Sequence, residues 1–167
     1  KVKTKEDVLR LGIKPGDFVV FDPRTEVTPS GFIKSRHLDD KASVAALLGC
    51  AKYLKEKNLK PEYTTHFFLS TYEEVGHGGS HGIPSTVKEF IAVDMGCVGD
   101  GLLGNEFSVS ICAKDSGGPY DITLRKKLES IAEQNNIAYV VDVFPFYGSD
   151  AGALLRSGVD VRCACVG

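Results

Sequence analysis

Five acidic side chains in three short segments carry the chemistry of this sequence: Asp39-Asp40, Glu73-Glu74 and Asp94. No Arg lies in any of the three segments, and Lys41 is the only adjacent cation. Carboxylates brought together without Lys or Arg partners repel one another, and a divalent metal ion is the usual remedy. Taken singly, Asp40 reads as a helix cap and Glu73 and Glu74 as solvated loop residues. Taken together, with a Gly-rich loop after the Glu pair, they point to a metal centre. Two ions about 3.5–4 Å apart activate water near neutral pH and polarise a carbonyl. A neighbouring carboxylate that is not a ligand is then free to act as general base.

The elements around these residues decide whether they can meet. A capping signal at Thr4–Asp7 and a stop at Gly12 bracket a short helix, Lys5–Leu11. Phe18–Phe21 and Tyr63–Thr71 read as strands, as do Phe90–Asp94, Phe107–Ala113, Ala138–Val143 and Val161–Val166. Helices are predicted over Lys41–Glu56, with Val44, Leu47, Leu48, Ala51 and Leu54 on one face, and over Asp121–Gln134, with Ile122, Leu124, Leu128, Ile131 and Ala132 inward. A short helix starts at Asp150 and ends at Ser157-Gly158. Strands alternating with helices give an α/β fold, a mixed and mostly parallel sheet with helices on both faces. In such a sheet ligands bind outside the carboxyl ends of the strands. Glu73-Glu74 follows one predicted strand and Asp94 closes another, so the acidic segments share that address.

With 167 residues, 43% hydrophobic and 25% charged, the composition excludes disordered and fibrous classes. A net charge of −2 leaves no basic footprint for nucleic acid. No apolar stretch approaches the roughly 20 residues that cross a bilayer. The five cysteines, Cys50, Cys97, Cys112, Cys163 and Cys165, sit among apolar neighbours, the pattern of buried reduced thiols and a cytoplasmic location. The chain opens at Lys1 without a signal-peptide pattern and stops just after the apolar run Val161–Val166, so it is expected to be a fragment, incomplete at both ends.

Four motifs, His37-Leu38-Asp39-Asp40-Lys41, Tyr72-Glu73-Glu74-Val75-Gly76, Ala92-Val93-Asp94-Met95-Gly96 and Gly148-Ser149-Asp150-Ala151-Gly152, resemble in order and spacing the dinuclear metallo-aminopeptidases of the glutamyl, deblocking and tetrahedral aminopeptidase family. Gly12–Gly31 is similar to the end of that family's small β-barrel domain. The resemblance therefore implies residues 1–33 as the end of a barrel and residues 34–167 as a truncated catalytic domain. It implies Asp39 as the ligand bridging two ions, Glu74 on one ion, Asp94 on the other, and Glu73 as the general base. It further implies a cis peptide bond between Asp39 and Asp40, and two His ligands outside this chain. The family usually carries Arg after the Asp pair; Lys41 keeps the charge and loses the bidentate geometry. The mixed carboxylate and imidazole set suits Zn²⁺, with Co²⁺ and Mn²⁺ as alternatives.

The expected function is that of a metal-dependent aminopeptidase acting on peptides with a free N-terminus. Homo-oligomers, often dodecamers, are implied by the same resemblance. The alternatives are a related di-zinc carboxypeptidase or amino-acid deacylase and, in a different class, a metal-free assembly domain. Lacking the imidazoles, the isolated chain is expected to be inactive.

Other signals weigh less. His77 and His81 are four apart in a Gly-rich loop and so share no helix face; lining the cleft is their expected role. His66 reads as a packing residue, and His37 either as a surface residue or as a support for a ligand. Gly99–Gly104 matches G-x-G-x-x-G, but the residues after it read as a strand, so the helix that would receive a pyrophosphate is missing. Asp150 is a candidate substrate contact or a helix cap.

Overall fold

The computed structural model describes all residues from Lys1 to Gly167. Two compact units make up the chain, Lys1–His37 and Leu38–Gly167.

In the first unit, helix α1 spans Lys5–Arg10. Its capping box is complete: Asp7 N–H donates to the Thr4 hydroxyl at 3.2 Å, and the Asp7 carboxylate accepts from Thr4 N–H. Strands β1, Glu26–Val27, and β2, Ile33–Lys34, form an antiparallel pair around the Thr28–Gly31 turn, where Gly31 adopts φ 92°. Phe18–Phe21 forms no strand, and Phe18 is 99% exposed. The predicted strand is absent because extended backbone becomes a strand only when a neighbour takes its N–H and C=O groups.

In the second unit, five strands form one mixed sheet. Strands β3 (Glu89–Val93), β4 (Val109–Asp115), β5 (Gly118–Pro119), β6 (Tyr139–Val143) and β7 (Arg162–Val166) build it. β3 pairs parallel with β7, β7 antiparallel with β4, and β4 parallel with β6; β5 pairs antiparallel with the end of β4. Consecutive buried residues, Ser110-Ile111-Cys112 in β4 and Cys163-Ala164-Cys165 in β7, show that both faces are covered. One face packs Ala92, Cys112, Cys163 and Cys165 against Ala151 and Leu154 of helix α4, Asp150–Arg156. Helix α3, Ile122–Gln134, is capped by Asp121, whose side chain accepts from Leu124 N–H at 2.7 Å. It buries Leu124 and Ala132 but leaves Ile122 and Ile131 exposed, a narrower inward face than the apolar spacing suggests.

Helix α2, Leu38–Glu56, is rich in strong helix formers (Ala42, Ala45, Ala46, Ala51), yet its one fully buried residue is Ser43. Val44, Leu47, Ala51 and Leu54 are half-buried, whereas Leu48 is exposed. Tyr63–Thr71 likewise forms no strand, and its His66 is exposed rather than packed. Cys112, Cys163 and Cys165 are buried as expected, but Cys97 is only half-buried and Cys50 lies exposed on α2. The Gly99–Gly104 segment is a turn ahead of β4. Its Leu103 and Gly104 N–H groups donate to Asp142 Oδ2, so these glycines serve loop anchoring.

Candidate metal centre and catalytic loop

Asp39 and Asp40 lie at the start of α2 with non-helical backbone (ψ 111° and 34°), so the regular helix begins after them. The bond between them is cis, the geometry expected at this position. Their carboxylates meet that of Asp94 with ligand atoms all within 4.8 Å of one another. Helix α2 thus supplies two acids and the carboxyl end of β3 the third, at the address expected for a ligand site.

Three hydrogen bonds hold Asp94. Its N–H donates to the Val166 carbonyl at 2.8 Å, which extends the β3–β7 register by one residue. Its Oδ1 accepts from Met95 N–H at 2.6 Å, and its carbonyl accepts from the Ser43 hydroxyl at 3.1 Å. The Tyr147 hydroxyl donates to the carbonyl of the next residue, Met95, at 3.2 Å. Burial pushes the Asp94 carboxyl up to about 6 against these hydrogen bonds, with the charges of Asp40 and Asp39 adding to the rise. Asp40 is raised as well, by burial first and by Asp39 and Asp150, while hydrogen bonding at Ser43 opposes the shift. The Tyr147 phenol is driven upward by burial, so it stays a donor.

Glu73 and Glu74 occupy a 3-10 turn, Glu73–Val75, closed by Gly76 in the left-handed region at φ 85°. Glu73 is half-buried and Glu74 exposed. Burial raises the Glu73 carboxyl to about 7, and the charges of Asp94, Asp150, Glu74 and Asp39 contribute in that order. Glu73 therefore stands within electrostatic reach of the three-carboxylate group. A carboxyl that titrates near neutrality can both take and return a proton. The five ion pairs of the chain all lie elsewhere, so none of these acids has a Lys or Arg within 4.0 Å.

The structure brings Asp39, Asp40 and Asp94 together and leaves both Glu73 and Glu74 outside that close group; Glu73 is linked to it only through the charges of Asp94 and Asp39 that act on its carboxyl. No imidazole joins the group. His77 stacks on Tyr72 with ring centroids 5.0 Å apart, and His37 and His81 are exposed. Asp150 is the first residue of α4, behind Ser149 as cap, and its Oδ1 accepts from Gly79 N–H at 2.6 Å. Asp40, counted with the converging acids in the sequence, does join the cluster; two contributors have no such signal in the sequence analysis, Ser43 and Tyr147. Ser43 stands three residues after Asp40, a capping interval that could have been noticed. Tyr147 is brought in by the loop after β6 and has no local signature.

The whole chain, residues 1–167, matches the family model described as M42 glutamyl aminopeptidase. YhfE of Bacillus subtilis (strain 168), described as a putative aminopeptidase, is 52% identical over 166 residues, covering 99% of this chain and 48% of that protein. The Pyrococcus horikoshii TET1 peptidase, whose assembly is described as a tetrahedron or a large octahedral shell, superposes with TM-score 0.77 at 28% identity over 98% of this chain and 49% of its own. A TET aminopeptidase from Thaumarchaeota archaeon SCGC AB-539-E09 shares the fold, with TM-score 0.85 at 19% identity over 96% of this chain and 48% of its own. The chain spans about half the length of these relatives. The match over every residue, together with the close relative, shows that the chain belongs to the M42 glutamyl aminopeptidase family.

Proposed function

We propose that this chain carries the carboxylate half of a dinuclear metal centre and the general base of a metal-dependent aminopeptidase. The observation that carries the reading is the meeting of Asp39, Asp40 and Asp94 within 4.8 Å, without a basic partner, in a field that also raises the Glu73 carboxyl. That donor set fits divalent cations bound through oxygen, and an imidazole or thiolate added to it would suit Zn²⁺. In this reading Asp39 would be shared by the ions, and Asp94 and Glu74 would each help to hold one of them. When bound, such ions supply Lewis-acid activation of water and of the scissile carbonyl.

The residues of the chain do the rest. Met95 N–H holds the Asp94 carboxylate and Ser43 its backbone carbonyl, so the carboxylate needs little reorganisation to act as a ligand. Glu73 takes the proton of the attacking water on its carboxylate and returns it to the departing amine. The substrate class is peptides with a free α-amine. The β1–β2 pair supports reading residues 1–33 as the end of a barrel domain, and the TET relatives' assemblies support self-association of this protein.

The test uses the protein in its full length with matched free and N-acetylated peptides and metal analysis. Cleavage of the free peptides alone, with loss of kcat by about 10²–10⁴-fold and unchanged metal content in Glu73→Gln, is the expected result. Cleavage of acetylated amino acids or from the C-terminus moves the protein to the deacylase or carboxypeptidase class.

A further inference from the structure

Helix α4 touches the loop that carries Glu73 at two points. At its start, Asp150 Oδ1 accepts the Gly79 N–H at 2.6 Å, across 71 positions of sequence. At its end, the Arg156 guanidinium donates to the Gly76 carbonyl at 3.4 Å. Between these points the loop lies directly on the helix, because Gly78 and Gly79 have no side chains. A β-carbon on Gly78 would stand 2.6 Å from Asp150 Oδ1 and 2.8 Å from Glu73 N; one on Gly79 would strike the Asp150 carbonyl oxygen. Both glycines are buried.

The helix start is itself locked. Buried Ser149 shares a 2.7 Å hydrogen bond with the Tyr120 hydroxyl, which donates to the buried Asp115 carboxylate at 2.6 Å. Ala151 and Leu154 then tie α4 to the sheet that ends in Asp94.

We infer that Asp150 is a positioning residue: its carboxylate clamps the Gly78-Gly79 turn to α4 and thereby fixes the backbone of Glu73, the general base of the proposed reaction, in place of contacting the substrate. This rests on the aminopeptidase reading above. The observation behind it is that Asp150 Oδ1 is already engaged by a backbone N–H whose close approach only glycine permits. An acceptor is required there and a negative charge is not, so Asn serves in the same place. A substrate-amine contact would need the charge.

Full-length Asp150→Ala and Asp150→Asn variants separate the two roles on a free-amine dipeptide series. Expected is a fall in kcat of about 10–100-fold for Asp150→Ala with KM within about twofold, and recovery to within about threefold of the parent kcat for Asp150→Asn. A rise in KM in both variants alike would overturn the clamp and make Asp150 a substrate contact. An unchanged kcat in Asp150→Ala would also overturn it. Amide hydrogen exchange at Gly79 gives a readout independent of activity: protection in the parent and in Asp150→Asn, with loss in Asp150→Ala, is expected. Free exchange at Gly79 in the parent sinks the clamp even if Asp150→Ala fails to fold. If the parent cleaves no free-amine peptide while Gly79 is protected, the aminopeptidase reading fails and the clamp stands as a loop anchor.

Discussion

The Ser43 hydroxyl donates to the Asp94 carbonyl at 3.1 Å, and this bond joins the helix bearing Asp39-Asp40 to the strand bearing Asp94. Ser43 is the only buried residue of α2, so the helix is registered on the sheet by a polar contact more than by an apolar stripe. The expected outcome of Ser43→Ala is a loss of about 1–2 kcal/mol in urea unfolding, since the buried carbonyl loses its side-chain donor. Metal affinity should fall in the same variant, because the three carboxylates come from the two elements this bond joins. A variant with parent affinity would mean that α2 is placed by other contacts.

Metal-free protein should lose stability as pH rises from 5 to 8 through the acid cluster. Glu73 and Asp94 have folded values of about 7 and about 6, above their ordinary 4.5 and 3.8. A raised carboxyl stabilises the fold fully below its unfolded value, and that contribution is lost as pH passes through the folded value. Glu73→Gln keeps a neutral side chain at every pH. The variant is therefore expected to gain melting temperature relative to the parent at pH 8 and to lose that advantage by pH 5, as followed by circular dichroism without metal. A pH-independent difference would contradict the assigned burial of Glu73.

The sheet and the site were legible in the sequence to different depths. β3, β4, β6, β7, α3 and α4 lie within a few residues of their predicted positions because each has apolar periodicity and a cap or turn beside it. Phe18–Phe21 and Tyr63–Thr71 have the same local pattern and form no strand, because pairing depends on a neighbour that local pattern does not reveal. The three acidic segments were visible as charge without partners, but their closeness is set by tertiary structure. Asp40 read as a cap is one consequence: Ser43 follows it at a capping interval, and the carboxylate also faces Asp39 and Asp94. Tyr147 and Gly79 act through contacts more than 50 positions away in sequence, which no window could hold.

Metal occupancy in single variants distinguishes the ligands from the cap. Asp94→Asn and Glu74→Gln are each expected to remove about one of two ions per chain in the full-length protein, read by elemental analysis after gel filtration. Asp40→Asn should keep both, because an Asn side chain caps a helix as well as Asp does. Glu74 is exposed and outside the tight carboxylate group, so the opposite result is informative. Full occupancy in Glu74→Gln with loss in Asp40→Asn would exchange the roles of these two residues.

Lys1–Gly167 as an isolated polypeptide should hold zinc only weakly. Its close acidic group is Asp39, Asp40 and Asp94, all carboxylates, and no imidazole belongs to it. Zinc sites that bind tightly have three or four protein ligands and include nitrogen or sulfur. Two ions sharing Asp39, with Glu74 and Asp94 on either side, would have about two carboxylate ligands each, so proton uptake competes with the metal. Asp94 and Glu73, raised to about 6 and about 7, are the groups that hold those protons. Calorimetric titration with Zn²⁺ at pH 7 should therefore show no pair of nanomolar sites, only weak binding that declines further at pH 5.5 as the same acids protonate. Mn²⁺, which favours oxygen donors, should compete with Zn²⁺ more effectively here than at an imidazole-containing site. Two nanomolar zinc sites would refute this account, and loss of one of them in His77→Ala or His81→Ala would identify the nitrogen ligand recruited from the glycine-rich loop.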